Sequence, residues 1–249
     1  MSTSLVLHKG ARPASLEEVA AIAAPPSQGR WFPLSHGLVL QRVVSTLAEA
    51  GFLVRRQQLA LSRGDARFFG VLDLSSTLAN GVTLSVGVRN SVDKSFPIGF
   101  CAGSRVFCCD NLAFSAELLV RRKHTRFGEQ RFQNDIAASV VKLGQFQTVE
   151  ASRIKLLQDR YVSEANADSI ILKAFEKGIV SSLMLPAVIR EWRKPSFEEF
   201  EPRTYWSLFN AFTTAMGDRL KTDPQKYSLT TMRLSSFVSS SVSAQPLAA

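Results

Sequence analysis

Cysteine and histidine are scarce in this chain, with three of each among 249 residues. An odd cysteine count, with no secretory apolar segment at the start, predicts a reduced, cytoplasmic protein rather than a disulfide framework. Cys108 and Cys109 are neighbours, so a strand would point their side chains to opposite faces. Because the histidines are scattered as well, the sequence predicts neither a metal site nor a cofactor.

Long apolar runs and enzyme signatures are also lacking. No run approaches the roughly 20 apolar residues of a membrane-spanning helix, so we expect no membrane partner. The phosphate-loop pattern GxxxxGK[ST], the GxSxG elbow and the HExxH motif do not occur. The sequence therefore disfavours an enzyme and predicts no catalytic residue. An unrecognised metal-dependent nuclease or hydrolase that uses Asp93, Asp110 and Asn111 stays open as an alternative.

Acidic residues are fewer than basic residues in this chain. The chain has 30 Lys and Arg against 21 Asp and Glu, which gives a formal net charge of +9 and a pI of about 9.8. Such a balance favours an anionic partner, most simply nucleic acid. With 45% hydrophobic residues the chain can also bury a full core without disulfides.

The apolar spacing divides the chain into an alternating part and helical parts. Ser15 and Glu18 form a capping-box pattern in an expected N-terminal extension over 1–30, and a helix is predicted from Ser35 to Gly51. Strands are predicted at 52–61, 66–74, 82–89, 96–102 and 105–109, with turns at 80–81 and 103–104. The fold class is therefore α+β, with a curved antiparallel β-meander, flanking helices and a helical C-terminal half.

The second half of the chain has mainly helical spacing. Asp110 or Asn111 is predicted to cap a helix that ends in the basic run 121–124, where cations also suit the helix dipole. Helical patterns cover 111–221, so that 31–221 forms one α+β domain with its sheet at 52–109. The Ser-rich end predicts a flexible tail over 222–249.

Cations alternate with aromatic residues along the predicted sheet. Phosphates attract such cations, and bases stack on any aromatic ring left exposed. The alternative is a solvated sheet face above an ordinary phenylalanine core. The candidate nucleic-acid contacts are Arg55, Arg56, Arg89, Asn90, Lys94, Arg105, Arg121, Arg122, Lys123 and Arg126.

Polar residues also gather around the same predicted strands. Asn90, Ser91 and Asp93, with Asp110 and Asn111, would form a cluster if their loops meet at one end of the sheet. Such a cluster can hold a metal or the edge of a sugar. The favoured alternative is turn chemistry, because Asn, Ser and Asp side chains bond to their own backbone in loops.

The segment from Val88 to Asn111 and the cluster at 204–213 resemble the phage- and plasmid-like proteins catalogued as domain-of-unknown-function family 932. The Arg89-Asn90-Ser91 turn and the Cys-x-Asn strand end at 109–111 carry the resemblance, which covers residues 31–221. It implies residence on a mobile genetic element, whose small basic proteins often handle DNA. The order helix, meander, helix is also similar in outline to phage single-strand annealing proteins, which form rings and hold the backbone of one strand in a basic groove.

These observations lead to one main hypothesis and one rival of another class. The main hypothesis is a sequence-tolerant binder of single-stranded nucleic acid, with single-stranded DNA favoured, acting in annealing or recombination and capable of forming homo-oligomers. The rival is a protein-interaction factor that acts on a host process and meets an acidic partner through its exposed cations and aromatic residues.

Overall fold

One antiparallel sheet organises the first half of the chain, and helices make up most of the second half. The computed structural model describes residues 11–106, 112–222 and 224–243. The sheet has six strands in sequence order and is not closed. They are β1 (Arg12–Ala14), β2 (Val54–Leu61), β3 (Arg67–Ala79), β4 (Val82–Ser91), β5 (Ile98–Val106) and β6 (Leu112–Arg122).

The described residues also form seven α-helices and a short 3-10 turn at Glu198–Phe200. The helices are α1 (Leu16–Ala21), α2 (His36–Glu49), α3 (Gly128–Asp159), α4 (Glu164–Glu176), α5 (Leu185–Arg193), α6 (Tyr205–Thr222) and α7 (Pro224–Ser243). The predicted α+β fold, with an antiparallel sheet and a mostly helical C-terminal half, is confirmed.

The hydrophobic core lies on one face of the sheet, which we call the packed face. Leu72, Val86 and Phe100 belong to this face and share one buried cluster with Leu40 of α2 and Phe132 of α3. Because side chains alternate along a strand, the intervening residues belong to the opposite, outer face. The outer-face residues of the central strands are Phe69, Val71, Asp73, Ser85, Gly87, Arg89, Gly99, Cys101 and Gly103.

Several helix and hairpin ends lie where the local sequence predicted them. The Ser35 hydroxyl accepts from the Leu38 amide at 3.2 Å and caps α2. Gly51, with a φ of +82°, ends that helix in the left-handed region. Gly81, with a φ of +70°, closes the hairpin between β3 and β4.

The region from 96 to 122 differs from the prediction. β5 runs without a break through Gly103 and Ser104, which pair with Ser85 and Leu84 of β4, so the predicted hairpin at 103–104 is wrong. Residues 112–122 form β6 rather than a helix, and sheet pairing therefore extends beyond 109. The long open edge of β5 explains this result, because cross-strand pairing overrides a weak local helix preference.

Both ends of the chain contribute to the fold more than the sequence indicated. β1 pairs with β2, and Val19 of α1 is fully buried, so residues 12–21 are part of the sheet and core rather than an appendage. The expected flexible tail is wrong for 224–243, because Tyr227, Leu234 and Val238 of α7 are buried in the core. Frequent serines lower the mean hydropathy of this segment without removing its apolar stripe.

Candidate nucleic-acid interface

Basic residues gather at one end of the sheet because of its antiparallel topology. The β2–β3 connection with Arg63, the β4–β5 connection with Lys94 and the end of β6 with Arg121 all lie at this end. Lys123 and Arg126 follow in the loop that leads to α3, and both are exposed. We call Arg89, Lys94, Arg121, Lys123 and Arg126 the basic end.

Arg89 and Arg121 occupy one row of the outer face. Gly99 of β5 pairs with Arg89 of β4 on one side and with Arg121 of β6 on the other. A Cβ atom on Gly99 would lie 2.8 Å from Nε of Arg89, so the Arg89 side chain lies across this glycine. Gly99 thus leaves room for two arginine side chains on the strands that flank β5, without a side chain between them.

The pair has the electrostatics of an anion site. Burial lowers the pKa of Arg89, and the positive charge of Arg121 lowers it further. Arg121 itself is exposed. An oxyanion that approaches both guanidinium groups is attracted by each of them. This arrangement suits a phosphate or a carboxylate.

Aromatic rings position the cations of this end. The Arg89 guanidinium lies 5.2 Å from the centre of the Phe96 ring, and Lys94 Nζ lies 4.8 Å from that of Trp31. Lys94 also donates to Gln28 Oε1 at 3.0 Å. Cations therefore cover one face of both half-buried rings. Phe68 and Phe100 are buried and present no ring surface to a base.

Arg122 departs from the predicted site. Its strand partner Ile98 belongs to the packed face, and its guanidinium pairs with Asp135 of α3. A helix through 121–124 would have grouped Arg121 with Arg122, but strand alternation sends their side chains to opposite faces. Arg122 therefore ties α3 to the sheet, and its inclusion in the interface is corrected.

The role predicted for Asn90 is also corrected, because this residue is structural rather than a ligand contact. It is fully buried, and its Nδ2 donates to Leu34 O at 2.9 Å and to His36 Nδ1 at 3.0 Å. His36 Nε2 in turn donates to Asp65 O at 3.0 Å. On the far side of the same segment, the Leu34 amide donates to His124 Nδ1 at 3.2 Å. This buried network holds residues 34–36 against the sheet.

The Ser91 and Asp93 part of the polar cluster is turn chemistry. The Ser91 hydroxyl donates to Phe96 O at 2.7 Å, and Asp93 accepts from the Ser95 amide at 3.0 Å. Asp93 also pairs with Arg67 at 2.9 Å. Asp110 and Asn111 lie outside the described residues. Within the described ranges, no cluster of metal-ligating side chains occurs.

The remaining predicted contacts lie elsewhere. Arg55 and Arg56 are exposed at the beginning of β2. Arg56 stands in register with Asp73 and Ser85, four positions before Arg89 on β4, which is about 13 Å at roughly 3.3 Å per residue. The backbone of Arg105 pairs with Thr83, still further from the basic end. The structure thus does not bring these three arginines to the Arg89 row.

The buried histidines predict acid sensitivity. Burial lowers the pKa of both His36 and His124, so the folded protein keeps them neutral. Each takes up a proton on unfolding once the pH falls below the ordinary histidine value of about 6.5. We expect full stability above that pH and a falling melting temperature between pH 7 and 5.5, measured by circular dichroism. A His124→Gln variant should show a shallower decline, and a flat profile in the parent protein would contradict the prediction.

Comparison of the chain with protein-family models, curated proteins and solved structures gives no match. The resemblance to family 932 therefore stays a prediction. Among the helices that the structure describes, none has both the length and the apolar character needed to cross a bilayer.

Proposed function

We propose that this protein binds single-stranded nucleic acid, DNA in preference, through the phosphate backbone at the basic end. The observation that carries the proposal is the Arg89 and Arg121 pair across Gly99. A phosphate between the two guanidinium groups would accept hydrogen bonds from both. Lys94, Lys123 and Arg126 extend the same positive surface.

Such an interface is tolerant of sequence. Phosphate contacts fix the position of a strand but do not report its bases. The rings of Phe96 and Trp31 already have cations over one face, so stacking adds less here than phosphate attraction does. Strand annealing by a homo-oligomer of the chain is the more specific form of this proposal.

The direct test is the salt dependence of binding. Fluorescence anisotropy with a labelled oligothymidylate should show affinity that falls steeply with salt, because each phosphate contact adds about 0.7 to the slope of log K against log salt. Arg121→Gln should lower both the affinity and that slope, the slope by about 0.7. Arg55→Gln at the opposite end is the matched control. Affinity that is absent or insensitive to salt would overturn the proposal and favour an acidic protein partner.

A second variant changes the geometry without changing the charge. Gly99→Val places a branched side chain where Arg89 now lies, so the guanidinium must leave its position beside Arg121. We expect a loss of oligothymidylate affinity as large as that of Arg89→Gln, with a native circular dichroism spectrum because valine suits a strand. Wild-type affinity in a folded Gly99→Val protein would show that the pairing of the two arginines does not matter.

A further inference from the structure

A second positively charged site lies between α4 and α7, on elements that carry none of the basic end. Asn166, Ile170, Lys173 and Lys177 recur at helical spacing and face the cleft from the side of α4. α7 contributes three serines to the other side. The cleft has a volume of about 940 Å³. Its lining from α7 is Met232, Arg233, Ser236, Phe237, Ser240 and Ser241.

The charged side chains that line the cleft are all positive among the described residues. Lys173, Lys177 and Arg233 line it, and no carboxylate does so among the described residues. Arg233 donates to the carbonyl oxygen of Lys177 at 2.7 Å, which holds its guanidinium at the C-terminal end of α4. Cations grouped around a concave surface attract an anion more effectively than scattered surface lysines, because their positive potentials add within the cleft.

Two of the three acidic residues of α4 pair away from the cleft. Asp168 pairs with Arg193 of α5 at 3.1 Å. Glu164 accepts a hydrogen bond from Trp192 Nε1, also of α5, at 3.1 Å. These two carboxylates therefore pair toward α5, whereas Lys173 and Lys177 line the cleft. The third acidic residue, Glu176, is exposed and does not line the cleft.

The floor of the cleft combines apolar surface with a buried phenol. Ile170, Ile179 and Met232 are buried, and Tyr205 is only 1% exposed. The Tyr205 hydroxyl has no hydrogen-bond partner within the described part of the chain. Burial raises the pKa of Tyr205, so the phenol stays protonated and can donate. A buried donor without a partner is unfavourable, and a ligand oxygen would satisfy it.

We propose that this cleft binds a small organic phosphate with an aromatic or apolar body. The phosphate would meet Lys173, Lys177 and Arg233, while the body would lie on the buried apolar floor. An ester or ring oxygen would accept from the Tyr205 hydroxyl. The proposal stands apart from nucleic-acid binding, because the two sites share no residue.

Isothermal titration calorimetry of the full chain with phenyl phosphate tests this site. Phenyl phosphate should bind more tightly than inorganic phosphate or phenol, since each offers only half of the complementary chemistry. Lys173→Gln and Lys177→Gln should each weaken binding about tenfold, the value of one charged hydrogen bond. Lys142→Gln, an exposed lysine of α3, is the control. Absent binding, or binding unchanged in both cleft variants, would overturn the proposal.

Two further measurements separate the possible explanations. Tyr205→Phe removes an unpaired hydroxyl, so the melting temperature should hold or rise while phenyl phosphate affinity falls; unchanged affinity would remove the phenol from the site. Excess oligothymidylate should not displace phenyl phosphate. Displacement would overturn the assignment of an independent site and make the cleft part of the nucleic-acid surface.

Discussion

Leu234→Asp is expected to unfold the protein or to lower its free energy of unfolding by about 4 kcal/mol or more. Leu234 is fully buried in α7 and belongs to the same core cluster as the sheet. A carboxylate there loses its hydration without gaining a partner. Because a domain of this kind is stable by only about 5–15 kcal/mol, one such change takes a large share of the total.

Urea unfolding followed by circular dichroism measures this effect. Leu229→Asp is the matched control, since it is the same substitution in the same helix at a position that is 42% exposed. The control should stay within about 0.5 kcal/mol of the parent protein. Equal stability of the two variants would mean that α7 does not pack on the core in solution.

The packing role of α7 was not predicted, because the average composition of the segment does not indicate its apolar face. Leu234, Val238 and Val242 stand four residues apart and are all buried, which is the spacing of one helix face. The serines between them dominate the average character of the segment. A search for spacing rather than for mean hydropathy would have predicted an amphipathic helix there.

The fold class and several helix ends were predictable because their signals are local. The caps at Ser15 and Ser35 and the turn at Gly81 each depend on a few neighbouring residues. β6 was not predictable in this way, since its strand form depends on the distant edge of β5. Long-range pairing decides such segments, and local preference is a weak guide to them.

The same limit applies to the candidate site. Arg89 was identified from charge and strand pattern, and Arg121 from the basic run at the end of a predicted helix. Their pairing depends on β5 passing between them with a glycine at the contact row. A helical assignment for 121–124 excluded that pairing and grouped Arg121 with Arg122 instead. Only the register of the sheet distinguishes the two arrangements.

The buried polar network of His36, Asn90 and His124 joins three distant segments, so no sequence window contains its signal. Asn90→Leu tests it. The variant leaves Leu34 O and His36 Nδ1 without their donor, and we expect a loss of about 2–3 kcal/mol in the free energy of unfolding. Asn134→Leu is the control, because Asn134 is exposed on α3 and bonds only to Gln130 among the described residues.

The same variant separates a structural from a binding role for Asn90. Below its melting temperature the Asn90→Leu protein should retain the affinity and salt slope of the parent for oligothymidylate, because the Asn90 side chain is fully buried. Loss of affinity without loss of stability would return Asn90 to the interface. Loss of stability with unchanged binding per folded molecule would show that Asn90 acts by anchoring residues 34–36, beside the cations of the basic end.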